Sequence, residues 1–213
     1  MFIGHFAVAY AAKRLAPRSS LGTLFFAAQF LDLLWPLLVL AGVERLSLAP
    51  PGAGFPLVFE HYPWSHSLLF ALLWSVVVSG VYWGLKRDRG AALVVGALVL
   101  SHWFLDLVVH LPDLPLWPGG AVLLGFGLWN TPFVALAIEF ALLAAGVTLY
   151  LSATRPERRA GTWGTWFLIA FLALVQLGNT LGPPPPSPIA VAWTAMAMWL
   201  LVLLGGWTDG ARR

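Results

Sequence analysis

The chain has 213 residues, 60% hydrophobic and only 10% charged, with a formal net charge of +3. Soluble domains carry about 25% charged and about 45–50% apolar residues, so this composition excludes a soluble globular domain, a disordered chain and a solvated coiled coil, and it predicts an integral membrane protein. The positive balance does not point to nucleic acid, because the twelve Lys and Arg fall in short clusters between long apolar runs rather than in one patch.

Residues 2–12 are apolar but cover only about half a bilayer at about 1.5 Å per helical residue. Lys13 and Arg14 follow that stretch, the reverse of a signal peptide, so the segment is expected to stay in the mature protein as a short half-spanning or re-entrant helix. A helix needs about 20 apolar residues to cross. Six segments meet this length, at about 20–42, 66–85, 90–111, 127–151, 161–181 and 187–207. The connectors between them carry breaker residues: Ala49-Pro-Pro-Gly-Ala-Gly54, Pro112 to Gly120, and Gly182 to Pro188. The predicted fold is therefore an all-α polytopic bundle of six transmembrane helices plus the short N-terminal one. Within a single domain, residues 1–118 carry the polar residues of interest and 119–213 supply three further spans.

Orientation follows from charge. Lys13, Arg14, Arg18, Lys86, Arg87, Arg89, Arg155, Arg158, Arg159, Arg212 and Arg213 fall in turns on one side, and only Arg45 falls on the other. The positive-inside rule makes the eleven-cation side and the C-terminus cytoplasmic in a bacterial-type inner membrane.

Several ionisable residues sit where lipid would surround them. Asp32 lies about 18 Å up the first span, His102 and Asp106 occupy the outer half of the 90–111 helix, and Glu139 is mid-span in the next. Each such group costs about 2.5–3.5 kcal/mol on insertion scales, so they are expected to pair, line a wet cavity or bind a cation. His102, Asp106 and His110 recur every four residues and drift only about 40° per step, so they share one helix face. Imidazole and carboxylate at that spacing can close on one or two metal ions. The chain has no cysteine, so any metal must be held by His and carboxylate groups. A second cluster runs Glu60-His61-Tyr-Pro-Trp-Ser-His66-Ser67. Pro63 suits a first helical turn, and His61, Ser65 and Ser67 are placed to cap the helix or orient the ring of His66. A weak internal echo, Phe30-Leu-Asp-Leu33 and Phe104-Leu-Asp-Leu107, suggests a duplicated helix pair, each with a preceding His (His5, His66) and a basic turn.

His61-Tyr-Pro-Trp-Ser-His66-Ser-Leu-Leu and Ser101-His102-Trp-Phe-Leu-Asp106 resemble the two signature blocks of the YdjM-like membrane-bound metal-dependent hydrolases. The resemblance covers roughly residues 1–118. An early His5 and the acid-bearing Gln29-Phe-Leu-Asp32 fit it as well. Asp32 stands alone where that family pairs aspartates, and Tyr62 occupies a usual arginine position. The His-x-x-x-Asp helix is more distantly similar to one in zinc-dependent phospholipases C. The resemblance implies a divalent metal, most naturally zinc, held by His5, Asp32, His66, His102, Asp106 and His110. Glu139 or Asp113 would act as base or orient water, with Asn130 facing the cavity. The implied activity is hydrolysis of a phospho- or acyl ester, plausibly lipid-borne, from the outer side of the membrane. Two other classes remain open: a catalytically silent accessory subunit of a larger membrane complex, and a proton-coupled transporter using His102 and Asp106 as relay. The expected partners are membrane lipid and other membrane proteins or further copies of the chain, not nucleic acid.

Overall fold

The computed structural model describes residues 1–50 and 52–213; Pro51, inside the 49–54 breaker, lies outside the described residues. In chain order the helices are α1 (Ile3–Ala12), α2 (Leu21–Ala28) and α3 (Phe30–Leu40), then the one-turn α4 (Pro63–His66), α5 (Leu68–Lys86), α6 (Arg89–Val109), α7 (Pro132–Ala153), α8 (Arg159–Leu181), α9 (Pro188–Ala195) and α10 (Met198–Asp209). Among the described residues, α5, α6, α7, α8 and the stretch formed by α9 with α10 are long and apolar enough to cross a membrane. The pair α2–α3, bent by 58°, meets the same criteria when taken together, which makes it a sixth candidate span. The protein is an all-α polytopic bundle, with α1 as the shorter apolar helix.

Local chemistry accounts for the helix starts. Ser20, Ser67, Asp88 and Ser187 each accept a backbone N–H from the residue three further on, satisfying one of the donors that a helix N-terminus leaves free. Pro63, Pro132 and Pro188 occupy first-turn positions, where a missing N–H costs nothing.

Three boundaries differ from the sequence expectation. The first span is interrupted at Gln29, which leaves the helical ladder (φ −99°, ψ 7°). The next begins at Leu68, because Ser67 adopts an extended conformation and detaches α4 from α5. The span expected from 127 starts at Pro132 after a short 3₁₀ turn at Leu128–Asn130. The loops also carry two small antiparallel ladders: β1 (Arg45–Leu48) with β2 (Leu57–His61), and β3 (Leu114–Pro115) with β4 (Leu123–Leu124). In β2 the side chains alternate between half-buried and exposed, as a strand with one face on the core should.

The short N-terminal helix is the centre of the bundle. Its side chains are almost all buried, and α7 lies against it backbone to backbone. A Cβ on Gly146 would come within 2.1 Å of the Ala7 carbonyl oxygen, so only glycine permits that approach. The basic turns converge at one end: Ser19 reaches Tyr82 (2.7 Å), Lys13 reaches Asp209, and the backbones of Arg155 and Arg213 pair. The β1–β2 hairpin, α4 and the 110–131 loop lie at the opposite end, around the polar residues.

Candidate metal centre

Four elements that are distant in sequence deliver the cluster. His5 comes from α1, Asp32 from the start of α3, His66 from α4, and His102 and Asp106 from successive turns of α6. Of these, only Asp32 has an appreciable solvent-facing side chain, 24% exposed, so the cluster opens on its side. Asp106 divides its two oxygens. Oδ1 receives the amino group of Met1 and faces His5 Nε2 at 3.1 Å. Oδ2 faces three ring nitrogens: His102 Nε2 at 3.1 Å, His66 Nε2 at 3.7 Å and His110 Nε2 at 3.9 Å. Asp32 Oδ1 lies 3.4 Å from His66 Nε2 and 3.7 Å from His102 Nε2. The interruption at Gln29 and the detachment of α4 at Ser67 provide this convergence. With straight helices, His66 and His102 would differ in height by about 10 Å at 1.5 Å per residue, yet their ring centres are 5.4 Å apart.

The far side of each ring decides what the near side can do. His102 Nδ1 donates to the Ala28 carbonyl at the helix interruption (2.8 Å). Ser65 Oγ donates to Glu44 Oε2 (2.7 Å), so its contact with His66 Nδ1 (2.7 Å) must be one in which the imidazole N–H donates. His110 Nδ1 donates to Asp113 Oδ1 (2.9 Å). In all three rings Nδ1 is engaged by an acceptor, which leaves Nε2 on the side of the cluster, within 3.9 Å of Asp106 Oδ2. A ligating histidine is held in this way. His102 Nε2 is buried and makes no hydrogen bond, because Asp106 Oδ2 lies close to it but off the direction of a ring N–H. A lone pair and a carboxylate oxygen at such distances repel unless a proton or cation lies between them.

Two overlapping triads of His and Asp could hold a metal ion; in the first, ligand atoms of His66, His102 and Asp106 all lie within 4.8 Å of one another. Neighbouring ligands of a tetrahedral zinc, with bonds of about 2.0–2.2 Å, lie about 3.3–3.6 Å apart. The four separations linking His66 and His102 to Asp32 and Asp106 run from 3.1 to 3.7 Å. His5, Asp32 and His102 form a second triad of ligand atoms lying mutually within 4.8 Å. The His5 ring stacks flat on His102, with centres 3.6 Å apart.

The remaining candidates divide. Asp113, 23% exposed, holds His110 and accepts from the Tyr62 hydroxyl (3.0 Å). Burial, reinforced by the negative charge of Asp113, raises the Tyr62 pKa well above the usual phenol value and keeps that hydroxyl a donor. Ser65 orients His66, while Ser67 caps α5 and does not reach a ring. Glu139 is turned away from the role of base: Oε2 accepts the backbone N–H groups of Phe2 (2.8 Å) and Gly4 (3.1 Å), and Oε1 faces the Gln176 amide. It caps α1 from a neighbouring helix. Asn130 is exposed in the 3₁₀ turn Leu128–Asn130. His61 sits opposite Arg45 at the end of the hairpin, and it is Ser65 that contacts His66 Nδ1.

Glu44 went unrecognised in the sequence. It is 1% exposed and takes both the N–H and the hydroxyl of Ser65, so a carboxylate–hydroxyl–imidazole chain leads to His66 Nε2. An acid beside Arg45 in a loop looks solvated, and only the packing of α3 on α4 reveals its burial.

The model of the YdjM inner membrane protein family matches residues 1–182. The match extends beyond the 1–118 resemblance and takes in α7 and α8, in keeping with the packing of α7 on α1. It does not reproduce the more distant similarity to zinc-dependent phospholipases C. No curated protein and no solved structure matches the chain.

Proposed function

The chain belongs to the YdjM inner membrane protein family, and on that premise we propose that it is a membrane-embedded metal-dependent hydrolase of phospho- or acyl esters carried by membrane lipid. The observation that carries this reading is the set of His66, His102 and His110 rings, each tied down at Nδ1 with Nε2 within 3.9 Å of Asp106 Oδ2. His66, His102, Asp32 and Asp106 would hold the ion, with His5 completing the set from α1. A bound divalent cation, zinc by preference for this donor set, would supply Lewis acidity toward the ester oxygen.

The protein's own groups do the rest. Asp113 and Tyr62 hold His110 at the edge of the cluster, where its Nε2 is placed to take up a proton from an attacking water. The apolar bundle behind Asp106 excludes bulk water, which strengthens every charge interaction within. The opening beside Asp32 is where an ester would approach. The cluster lies at the end away from the basic turns, and the positive-inside rule then assigns it to the non-cytoplasmic side. An Arg87→Cys variant should stay unlabelled by a membrane-impermeant thiol reagent added to intact cells; labelling would overturn that sidedness.

Elemental analysis of the detergent-purified chain tests the centre. About one zinc per chain is expected, and His66→Ala, Asp106→Ala and the double variant should lose similar amounts because the ligands act together. Full metal retention by the double variant would refute the shared site. Release of phosphate or fatty acid from phospholipid vesicles, abolished in His102→Ala, tests the chemistry. Metal without turnover would instead favour the silent-subunit reading.

A further inference from the structure

The opposite end of the bundle contains a second feature, unrelated to the metal centre. Between the α1–α2 loop and the α5–α6 turn lies a cavity of about 580 Å³ whose wall includes Arg18, Lys86, Arg87 and Arg89. Asp88 is its one acid, and that carboxylate is committed to capping α6 through the Ala91 N–H (3.0 Å). Among the described residues the only Lys or Arg in an ion pair is Lys13, with Asp209, so the four cations of the cavity have no internal counterion. Hydroxyls of Ser20 and Thr23 line the same wall, 2.9 Å from each other.

A groove of about 370 Å³ shares Ser20 and Thr23 with this cavity and runs between α2 and α10. Beyond the two hydroxyls its walls are apolar, formed by Phe26, Val202 and Leu203. Its floor is shallow because α2 and α10 meet at glycine: a Cβ on Gly22 would lie 2.6 Å from the Val202 carbonyl oxygen. Leu203 is 67% exposed on the outer surface of the bundle, where acyl chains run. At the cavity mouth Arg89 stacks over Trp83 (5.5 Å), and tryptophan favours the headgroup level of a bilayer.

A net positive, hydroxyl-lined cavity continuous with an apolar groove matches the two halves of one molecule. We propose that this end of the protein binds an anionic phospholipid, with the phosphate among Arg18, Lys86 and Arg87 and one acyl chain in the α2–α10 groove. Cations that merely set membrane orientation need neither the cavity nor the groove. Basic pockets between spanning helices bind anionic headgroups, and each Lys or Arg near an anionic membrane surface is worth about fivefold in affinity. This proposal stands apart from the metal centre, and its failure leaves that reading untouched.

Native mass spectrometry of the full chain in detergent, titrated with dioleoyl phosphatidylglycerol or dioleoyl phosphatidylcholine, tests it. The chain should retain phosphatidylglycerol in clear preference to phosphatidylcholine. Arg18→Gln combined with Lys86→Gln should weaken retention about twenty-five-fold. Leu203→Trp, which fills the groove from its exposed side, should also weaken it. Arg158→Gln combined with Arg159→Gln removes two cations from the same end but outside the cavity, and should leave retention unchanged. Thermal unfolding of each variant confirms that the fold persists. Equal retention of both lipids, an equal loss in the Arg158/Arg159 variant, or displacement of phosphatidylglycerol by millimolar glycerol 3-phosphate would each overturn the proposal, the last by showing a site for a free phosphate ester.

Discussion

Two buried aspartates in this bundle have been treated in opposite ways. Asp209, in α10, has donors on both oxygens: Lys13 Nζ and the Leu21 N–H on Oδ2, and the Tyr150 hydroxyl on Oδ1. Lys13 spends a second donor on the Ser19 carbonyl (2.8 Å), so the network closes on itself. Asp106 is equally buried, yet its Oδ2 faces three imidazole nitrogens and accepts a hydrogen bond from none of them. A closed network fixes helices against each other. An open one, with donors converging and protons turned outward, is arranged for something that enters. Buried charge alone does not mark a functional site; the direction of the unspent lone pairs does.

The comparison breaks most visibly at the closed network. Lys13→Ala should leave Asp209 buried and uncompensated, costing about 3–5 kcal/mol. The loss would be read as a fall in the thermal unfolding temperature in detergent, while the metal content of the surviving folded protein stays unchanged. A Lys13→Met, Asp209→Leu double variant should recover much of that stability, because neither charge is then left alone.

The open cluster should respond to zinc instead. At a free concentration about one hundred times the dissociation constant, zinc should stabilise the wild-type chain by about 2.7 kcal/mol, reversibly on chelation. Asp106→Asn should abolish the response and Lys13→Met, Asp209→Leu should keep it. A zinc response that survives Asp106→Asn would erase the distinction drawn between the two networks.

The Glu44–Ser65–His66 chain sharpens it further. Glu44→Gln and Ser65→Ala should each weaken zinc binding by about 10–100-fold through loss of ring orientation, whereas His61→Ala should not. Metal titration followed by mass spectrometry separates the three. The smallest effect belongs to Glu139→Gln, which keeps one acceptor for the α1 amides and should cost about 1 kcal/mol with zinc affinity unchanged. A large change in affinity there would return Glu139 to the site.

The internal echo acquires meaning only in three dimensions. His5 of the first helix pair meets Asp106 of the second, and His66 of the second meets Asp32 of the first, so the two units exchange partners. The echo does not extend to the other histidines of α6: at the same offset Ala28 stands opposite His102 and Pro36 opposite His110, and it is the Ala28 carbonyl that accepts from His102 Nδ1.

Hydropathy and helical periodicity are local properties, and what depends on them was legible in the residues alone: the spans, the short α1, the segregation of cations, and the common face of His102, Asp106 and His110. Even Pro63 and Ser65 announced their positions beside His66. Which faces meet is not local. The approach of α1 to α7 depends on a glycine 139 positions after Ala7, at Gly146, and the interruptions at Gln29 and Ser67 set angles that no hydropathy window carries. Tertiary packing therefore decided how His5 and Asp32 join the cluster, that Glu44 stands behind His66, and that Glu139 serves as a cap. A side chain's role here is set by which lone pairs its neighbours leave unanswered, and those neighbours are brought together only when the helices pack.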